Sequence, residues 1–181
     1  MLTRSPYTPP HLFLDNMPYF ITGAIYQKRP LLAQSRVKET LLELIHETLA
    51  KYQWELHHWV ILDNHYHWLG QSYIGKNLSK IIQYIHSRSA MLMSSLTQAE
   101  KPIWWNYWDY CPRNETDYFT RLNYLLNNPV KHGYVDNLHD YTWSTFPSLF
   151  AEVGRDALVQ QFKTYPNYKN LSLSEANNDD F

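Results

Sequence analysis

The sequence has little cysteine and no long apolar run, and both absences narrow the class of protein. The single cysteine, Cys111, excludes an internal disulfide bond and a zinc finger built on cysteines. No stretch of about 18 consecutive apolar residues is present, so the sequence predicts no transmembrane helix. The first residues, MLTRSPYTPPHLF, lack the apolar core of a secretory signal. We therefore expect a soluble, cytoplasmic protein.

The chain also lacks the positive charge that is typical of proteins binding nucleic acid through the phosphate backbone alone. Lys and Arg number 16 and Asp and Glu 17, which gives a formal net charge of -1 at pH 7. Aromatic residues are abundant instead, with 7 Trp, 15 Tyr and 7 Phe. If a nucleic acid is the partner, base stacking on such rings must supply much of the affinity.

The pattern of apolar residues predicts one domain with four strands and three helices in the order β-α-β-β-α-β-α. The strands are expected at residues 19–26, 54–62, 65–71 and, as an aromatic strand or loop, 103–111. The helices are expected to begin at Ser35, at Asn77 or Ser79, and at Asn114, the third ending at Asn128 because Pro129 follows. This order is typical of an α+β fold, a ferredoxin-like antiparallel sheet with helices packed on one face.

The chain divides into three parts. Residues 1–18 form an N-terminal arm in which four prolines exclude a helix, and residues 19–150 form the central domain. Residues 151–181 form a C-terminal extension. The sequence is turn-rich from residue 130 onward, and residues 167–181 are typical of a frayed polar tail.

A predicted hairpin carries the first candidate site. Its two-residue turn is Asp63-Asn64, both of which tolerate positive φ, and its second strand begins with His65-Tyr66-His67. Side chains alternate along a strand, so His65 and His67 point to the same side, about 7 Å apart. Two such imidazoles can share one metal ion if a third ligand comes from elsewhere. The alternative is a pair of surface histidines, in a sequence that contains 9 His.

The last predicted helix has two contrasting sides at about 100° per residue. The apolar side, which we expect to face the core, is formed by Tyr118, Phe119, Leu122, Leu125 and Leu126. The opposite side carries Asp117, Arg121, Tyr124 and Asn128, so Tyr124 is expected to point away from the core. A metal-binding His pair and a carboxamide beside a free tyrosine are the parts needed for transesterification of a phosphodiester. The alternative is a rim tyrosine that packs on a neighbouring loop.

Four segments together resemble the single-tyrosine HUH transposases, and specifically their REP-associated branch. They are YFITGAIYQKRPLL, the hairpin WVILDNHYHWL, the helix DYFTRLNYLLNNPVKHGYV and the following YTWSTF. The most specific feature is a tyrosine, Tyr124, five residues before the proline of Asn-Pro-Val. The resemblance spans residues 17–149 in the family's order, and Asp63-Asn64 departs from the residues that the family commonly has before the first histidine.

The resemblance implies a transposase IS200-like catalytic domain at residues 19–150. His65 and His67 would be metal ligands, Asn128 the third ligand and Tyr124 the nucleophile. The metal would be Mg²⁺ or Mn²⁺, and the protein would cleave and rejoin single-stranded DNA near hairpins through a 5′-phosphotyrosine intermediate. We expect the activity to fall below about pH 6.5, because the imidazoles bind metal only when they are neutral.

The expected partner is single-stranded or hairpin DNA. The candidate phosphate contacts are Arg121, Arg88 and Lys131, and for Arg121 the alternative is a solvated helix face. His86 is expected near Arg88 on the outer side of the second helix. The aromatic residues of 101–113 are candidates for base stacking or for the core.

Two other functions stay open at this point. A domesticated relative would bind a DNA hairpin without cutting it, and a metal-dependent phosphodiester hydrolase would hold zinc at His65 and His67, with Asp63 as the nearest carboxylate. A covalent adduct through Tyr124 distinguishes the transposase chemistry from both. The short linker 112–114 before the third helix favours a site completed within one chain, and hence a monomer over a homodimer.

Overall fold

The structure is a computed structural model that describes residue 11 and residues 13–173. Its strands and helices are β1 (Pro18–Ile25), α1 (Ser35–Lys51), β2 (Trp54–Ile61), β3 (His65–Ser72), α2 (Leu78–Thr97), β4 (Trp104–Tyr110), α3 (Glu115–Lys131), α4 (Phe146–Val153) and α5 (Arg155–Thr164). Short 3₁₀ turns cover Tyr26–Lys28, Gly75–Asn77, Leu138–Asp140 and Pro166–Asn170. The predicted order of the first seven elements is confirmed.

The four strands form one antiparallel sheet in the order β2-β3-β1-β4. The sheet order and the β-α-β-β-α-β connectivity are those of the ferredoxin-like fold, so the predicted fold class is confirmed. The expectation that all helices pack on one face is wrong. Helices α1 and α2 cover one face of the sheet, and α3 covers the other. A sheet that is apolar on both faces needs a layer on each, and the periodicity of a helix does not specify which face it covers.

The alternation of side chains along β3 separates the two cores. Tyr66 and Trp68 are fully buried among α1 and α2, whereas Leu69 is buried in the core formed with α3. His65 and His67 have the same parity as Leu69 and therefore face α3. The neighbouring strand β1 pairs Thr22 with His67, so its side chain lies beside that imidazole.

The hairpin turn lies where it was predicted, with the backbone N–H of Leu62 donating to the carbonyl of His65 at 2.9 Å. Neither Asp63 nor Asn64 has positive φ, so the expected left-handed conformation is wrong. The turn is held from outside instead. The ammonium of Lys38 on α1 donates to the Asp63 carboxylate at 2.7 Å, and the Asn64 amide donates to the Lys28 carbonyl at 3.2 Å.

Two predicted helix boundaries need correction. Ser35 is the first residue of α1, and Gln34 occupies the capping position without a side-chain hydrogen bond. Asn114 caps α3 as predicted, its side chain accepting a bond from the backbone N–H of Asp117 at 2.9 Å. Helix α3 does not end at Asn128, because Pro129 lies inside it and the helix continues to Lys131. A proline this close to the end removes one helical hydrogen bond and leaves few residues beyond it to be displaced.

The chain beyond residue 145 is not turn-rich as expected, because it forms α4 and α5. Gly154, with φ of 81°, separates the two helices. Leu158 and Leu173 are buried against the core of α3, so the described part of the C-terminal extension packs on the domain. The predicted tail beyond residue 173, and most of the predicted arm 1–18, lie outside the described residues.

The aromatic strand β4 contributes mainly to packing. Trp108 is buried, and Trp104 stacks on His86 with ring centroids 4.1 Å apart, whereas Trp105 is 38% exposed. His86 therefore does not lie on the outer side of α2 as expected. Its Nε2 is 2.9 Å from the hydroxyl of Tyr66, and burial lowers the pKa of His86 to about 3. Among the described residues no helix has the length and apolar character needed to cross a bilayer.

The lowered pKa of His86 predicts a pH-dependent stability. Between pH 6.5 and about 3 the unfolded chain binds a proton at this residue that the folded chain does not, so stability falls as the pH falls. The variant His86→Gln, which can still bond Tyr66, should lose less free energy of unfolding than the wild type from pH 7 to pH 5. The expected difference is about 1–2 kcal/mol in urea unfolding.

The exposed His46→Gln, on α1, is the matched control and should keep the pH dependence of the wild type. Equal pH dependence of the wild type and His86→Gln would show that the buried imidazole does not couple folding to protonation.

Candidate active site

Helix α3 crosses the sheet face that carries the two histidines and brings a tyrosine against them. The rings of His65 and His67 lie with centroids 5.0 Å apart, and the ring of Tyr124 lies 5.6 Å from that of His67. Tyr124 is only 4% exposed, so the expectation that it points away from the core is wrong. The helix is buried on both sides: the Tyr124 side faces the sheet, and Asn123 is bonded to α5 through Gln161.

The nitrogen atoms of His67 are in two different situations. Its Nδ1 lies 2.7 Å from the hydroxyl oxygen of Thr22, and the two atoms share a hydrogen bond. Its Nε2 is buried and has no hydrogen-bond partner among the described residues. An unpartnered buried nitrogen costs free energy, and a hydrogen bond to the other ring nitrogen is how proteins orient metal-binding histidines.

The orientation of His65 follows from its neighbour Asn64. The Asn64 amide nitrogen donates to the Lys28 carbonyl, so its Oδ1 faces His65 Nδ1, at 2.7 Å, and accepts a hydrogen bond from it. In the neutral imidazole Nε2 then keeps its lone pair, and it lies 3.2 Å from Oδ1 of Asn128. The amide nitrogen of Asn128 has no partner among the described residues. The imidazoles of His65 and His67, with ring centroids 5.0 Å apart, and the Asn128 amide beside His65 are a donor set that fits a divalent cation.

Burial keeps both imidazoles neutral. It lowers the pKa of His65 to about 3, with further lowering from the nearby His132 and Lys131. Burial also lowers the pKa of His67 well below its ordinary value, and His65 adds to the effect. The pH at which these imidazoles would take up a proton lies below the value of about 6.5 that was expected from the sequence.

The hydroxyl of Tyr124 accepts a hydrogen bond from Nζ of Lys131 at 3.0 Å, and the same ammonium lies 4.4 Å from the centre of the tyrosine ring. Both residues line a cavity of about 430 Å³. Its other lining residues are Thr22, Ala24, Lys28, Asn64, His65, His67, His132 and Tyr134. No Asp or Glu is among these residues, so the cavity is locally basic and suits an anionic ligand.

Several residues of this site were not found from the sequence. Thr22 lies beside His67 through strand pairing, and Asn64 bonds the next residue, His65. Neither contact belongs to a sequence motif. His132 was not predicted at the site, although its ring lies 5.1 Å from that of His65. Lys131, in contrast, was among the residues predicted to contact DNA, and it lies seven positions after Tyr124, two helical turns along the same face.

The two arginines predicted to contact phosphate lie elsewhere. Arg121 is 8% exposed, and its guanidinium stacks 3.4 Å from the centre of the Tyr110 ring. Its Nε lies 3.4 Å from a carboxylate oxygen of Asp117, so it is neither a solvated residue nor part of the cavity lining. Arg88 is exposed on α2, on the other side of the sheet from the histidines, over the ring of Tyr84. Of the three candidates, only Lys131 lies at the cavity.

Asp63, the nearest carboxylate for a zinc hydrolase, also lies away from the cavity. Asp63 is bonded to Lys38 and does not line the cavity. Among the described residues no group of three or more His, Cys, Asp and Glu side chains could hold a metal ion. The third donor beside the two histidines is the Asn128 amide. An amide oxygen is a ligand that Mg²⁺ and Mn²⁺ accept more readily than zinc does.

The fold and this arrangement agree with comparisons to known proteins. A family model described as "Transposase IS200 like" matches residues 14–111, more than half of the chain, and the chain belongs to this family. The resemblance seen in the sequence is thereby confirmed.

The chain is similar to REP-associated members of this family, both in sequence and in structure. The chain is 28% identical over 120 residues to the REP-associated tyrosine transposase of Escherichia coli (strain K12), covering 62% of this chain and 69% of the relative. A solved structure of a REP-associated tyrosine transposase bound to a REP hairpin superimposes with a TM-score of 0.65 at 24% identity. It covers 77% of this chain and 82% of that one, and it supports the fold.

The burial of Arg121 predicts a structural role. Replacing it with methionine removes the stacking on Tyr110 and the ion pair with Asp117, so the free energy of unfolding should fall by about 1–3 kcal/mol. Urea unfolding measures this, with the exposed Arg36→Met on α1 as the matched control, expected within about 0.5 kcal/mol of the wild type. A folded Arg121→Met of unchanged stability that no longer binds DNA would identify a phosphate contact instead.

Proposed function

We propose that this protein is a single-strand DNA transesterase that cleaves and rejoins DNA through Tyr124. The observation that carries the proposal is that Tyr124, His65 and His67 line one basic cavity, with Nε2 of His67 unpartnered among the described residues and Asn128 in contact with His65. Membership in the IS200-like transposase family supports the same reaction class. Because α3 packs on the sheet of its own chain, the proposed site needs no residue from a second copy.

A divalent cation, Mg²⁺ or Mn²⁺, would be held by the two Nε2 atoms of His65 and His67 and the Oδ1 atom of Asn128. The support for this ligand set is that Nε2 of His67 has no hydrogen-bond partner among the described residues, while Nε2 of His65 lies 3.2 Å from Oδ1 of Asn128 and the two imidazole rings lie 5.0 Å apart. When bound, the metal would polarise the scissile phosphate and stabilise the charge that develops on the departing oxygen. Thr22 and Asn64 would orient the imidazoles through their Nδ1 atoms.

In the reaction, the oxygen of Tyr124 attacks the phosphorus of a phosphodiester and forms a phosphotyrosine bond to the 5′ side. The bond from phosphorus to the 3′ oxygen breaks, and a free 3′-hydroxyl leaves. The phenol gives up its proton and the 3′ oxygen takes one, so no water is consumed. A second 3′-hydroxyl can then attack the same phosphorus and rejoin strands by the reverse step.

Lys131 would prepare the tyrosine for this attack. Its ammonium holds the phenol oxygen at 3.0 Å and would stabilise the negative charge that the oxygen gains as its proton leaves. The cavity lining also includes Lys28 and His132, which are placed for contacts to neighbouring phosphates. Arg88 lies on the opposite face of the sheet, so a role for it in DNA binding would require DNA that reaches around the domain.

The substrate that we propose is single-stranded DNA beside a hairpin. The similar protein of known structure is bound to a REP hairpin, and the E. coli relative bears the name of a REP-associated transposase. The net charge of this chain is close to zero, whereas the lining of its cavity is basic. This distribution is consistent with a substrate that binds at one specific place on the surface.

The nucleophile is tested by covalent trapping. The protein is incubated with Mn²⁺ and labelled hairpin oligonucleotides that carry single-stranded flanks, and the products are separated on a denaturing gel. The wild type should give a slow-migrating protein–DNA adduct, and Tyr124→Phe should give none, because it keeps the buried ring but lacks the attacking oxygen. Lys131→Met should slow adduct formation about 10-fold or more, and Lys131→Arg should retain part of the rate.

The matched control is Tyr118→Phe, the same substitution on the same helix at a hydroxyl that lies 3.2 Å from His57 instead of at the cavity. This variant should form the adduct at the wild-type rate. DNA binding without any adduct would indicate a hairpin-binding protein that does not cleave, and cleavage without an adduct would indicate attack by water.

The ligand set is tested by metal binding itself, without DNA. Titration calorimetry with Mn²⁺ should show one site in the wild type and an affinity at least 10-fold lower in His67→Gln. Thr22→Val, which removes only the hydroxyl that orients His67, should lower the affinity about 10-fold. The half-buried His58→Gln on β2 is the control and should bind Mn²⁺ as the wild type does. Equal affinities in all four proteins would refute the proposed ligands.

A further inference from the structure

A second cavity, of about 740 Å³, lies on the C-terminal side of α3. It is open to solvent and is lined by residues of α3, of the 137–139 turn, of α4 and α5, and of Pro166–Asn170. A volume of this size is in the range that accommodates a ligand the size of a nucleotide. None of the residues predicted from the sequence as site residues belongs to this cavity, and the proposed reaction does not use it.

The lining of the second cavity combines aromatic rings with cations. Its rings include Phe146, Phe150, Phe162 and Tyr168, and its charged residues are Arg155, Lys163 and Lys169, with no Asp or Glu. Residues 151–181 contain no other Lys or Arg, although that part of the chain has more acidic than basic residues. All the cations of the C-terminal extension therefore gather at one cavity.

These cations are not used to stabilise the fold. Within the part of the chain that the structure describes, the side chains of Arg155 and Lys163 have no ion pair and no hydrogen bond. Lys169 lies 6.0 Å from the centre of the Tyr168 ring. Exposed cations that converge on a concave surface without acidic neighbours raise the local positive potential and favour an anion.

The aromatic rings of the cavity do not stack on one another. Phe162 and Tyr168 meet edge to face, with centroids 5.3 Å apart and an angle of 76° between their planes. Both are half-buried, so part of each ring is accessible from the cavity. A base can stack on such rings, whatever its identity, because every base has a π face. An aromatic anion, such as a nucleotide, combines the two properties that the lining recognises.

The second cavity lies directly beside the candidate active site along the chain. Asn127 lines the second cavity, and the next residue, Asn128, contacts His65. Consecutive residues of a helix project about 100° apart, so the two cavities lie on different sides of α3, with the helix, about 10 Å wide, between them. A strand whose phosphodiester reaches Tyr124 would pass around α3 to place a neighbouring nucleotide in the second cavity.

We propose that the second cavity binds an unpaired nucleotide of the same DNA strand that is attacked by Tyr124. The base stacks against Phe162 and Tyr168, and Arg155 and Lys163 hold a phosphate. This inference rests on the proposed function and extends it, since it assigns to α4 and α5 the recognition of single-stranded DNA that flanks the hairpin. An acidic aromatic peptide would match the same charges, but the adjacent basic cavity at Tyr124 favours a nucleotide.

The test measures binding of two labelled DNAs to the full chain by fluorescence anisotropy over a range of salt concentrations. One DNA is a hairpin with a single-stranded extension, and the other is the hairpin alone. The double variant Arg155→Ala/Lys163→Ala should bind the extended hairpin at least 10-fold more weakly, with a larger loss than for the bare hairpin. The slope of log affinity against log salt should fall by about 0.7, because the two cations hold one phosphate of a single strand.

A second variant and a control keep the result interpretable. Tyr168→Leu keeps an apolar side chain but removes the ring, and it should weaken binding of the extended hairpin about 5-fold or more. Arg36→Ala/Lys80→Ala removes two exposed charges on the opposite side of the sheet and controls for net charge. Circular dichroism and thermal unfolding of each variant verify that the fold is kept.

The outcomes separate this inference from the proposed function. Wild-type affinity and salt slope in the cavity variants, together with a normal Tyr124 adduct, would overturn the nucleotide site alone. Extension-specific losses in those variants without any adduct in the wild type would support the nucleotide site and refute cleavage. Binding of a peptide containing aspartate and phenylalanine that is lost in the double variant, with DNA binding unchanged, would assign the cavity to a protein ligand.

Discussion

The structure depends on one constraint, the alternation of side chains along β3 within a sheet that is covered on both faces. Tyr66 and Trp68 belong to the core under α1 and α2, and this placement directs His65 and His67 toward α3. A shift of register by one residue would exchange the two sets, burying imidazoles among aliphatic side chains and exposing two large aromatic rings to the other layer. The packing of the first core therefore determines the orientation of the His pair.

Helix α3 completes the arrangement because it has two buried sides. One side packs on the C-terminal segments, and the other lies on the sheet with Arg121, Tyr124 and Asn128. Buried polar atoms in folded proteins normally have a hydrogen-bond partner. Five buried side-chain atoms among the described residues have none, and three of them lie on this helix or against it: Arg121 Nε, which has only its ion pair with Asp117, Asn128 Nδ2 and His67 Nε2. His67 lines the cavity, and Asn128 contacts His65, which also lines it.

The positive charge that matters for binding is concentrated at two cavities, although the net charge of the chain is close to zero. The formal net charge of -1 would indicate poor affinity for DNA if the charges were spread evenly over the surface. Lys28 and Lys131 line the cavity at Tyr124, while Arg155, Lys163 and Lys169 line the neighbouring one, and neither lining contains an acidic side chain. Local potential near a concave surface can therefore favour a polyanion although the chain as a whole is nearly neutral.

The sequence by itself determined the order of the elements, the strand that carries the His pair, the cap of α3 at Asn114 and the family. These are local properties, set by periodicity, side-chain chemistry and motif spacing. Only the tertiary structure decided which face of the sheet each helix covers. This choice buries Tyr124 and places Arg121 and Arg88 away from the site. The helical period shows that Tyr124 and Leu122 lie on different sides of α3, but a helix packed between two layers buries both sides. The hydrogen bond between Thr22 and His67 could not be predicted from the sequence either, because strand pairing joins residues that are far apart in the chain.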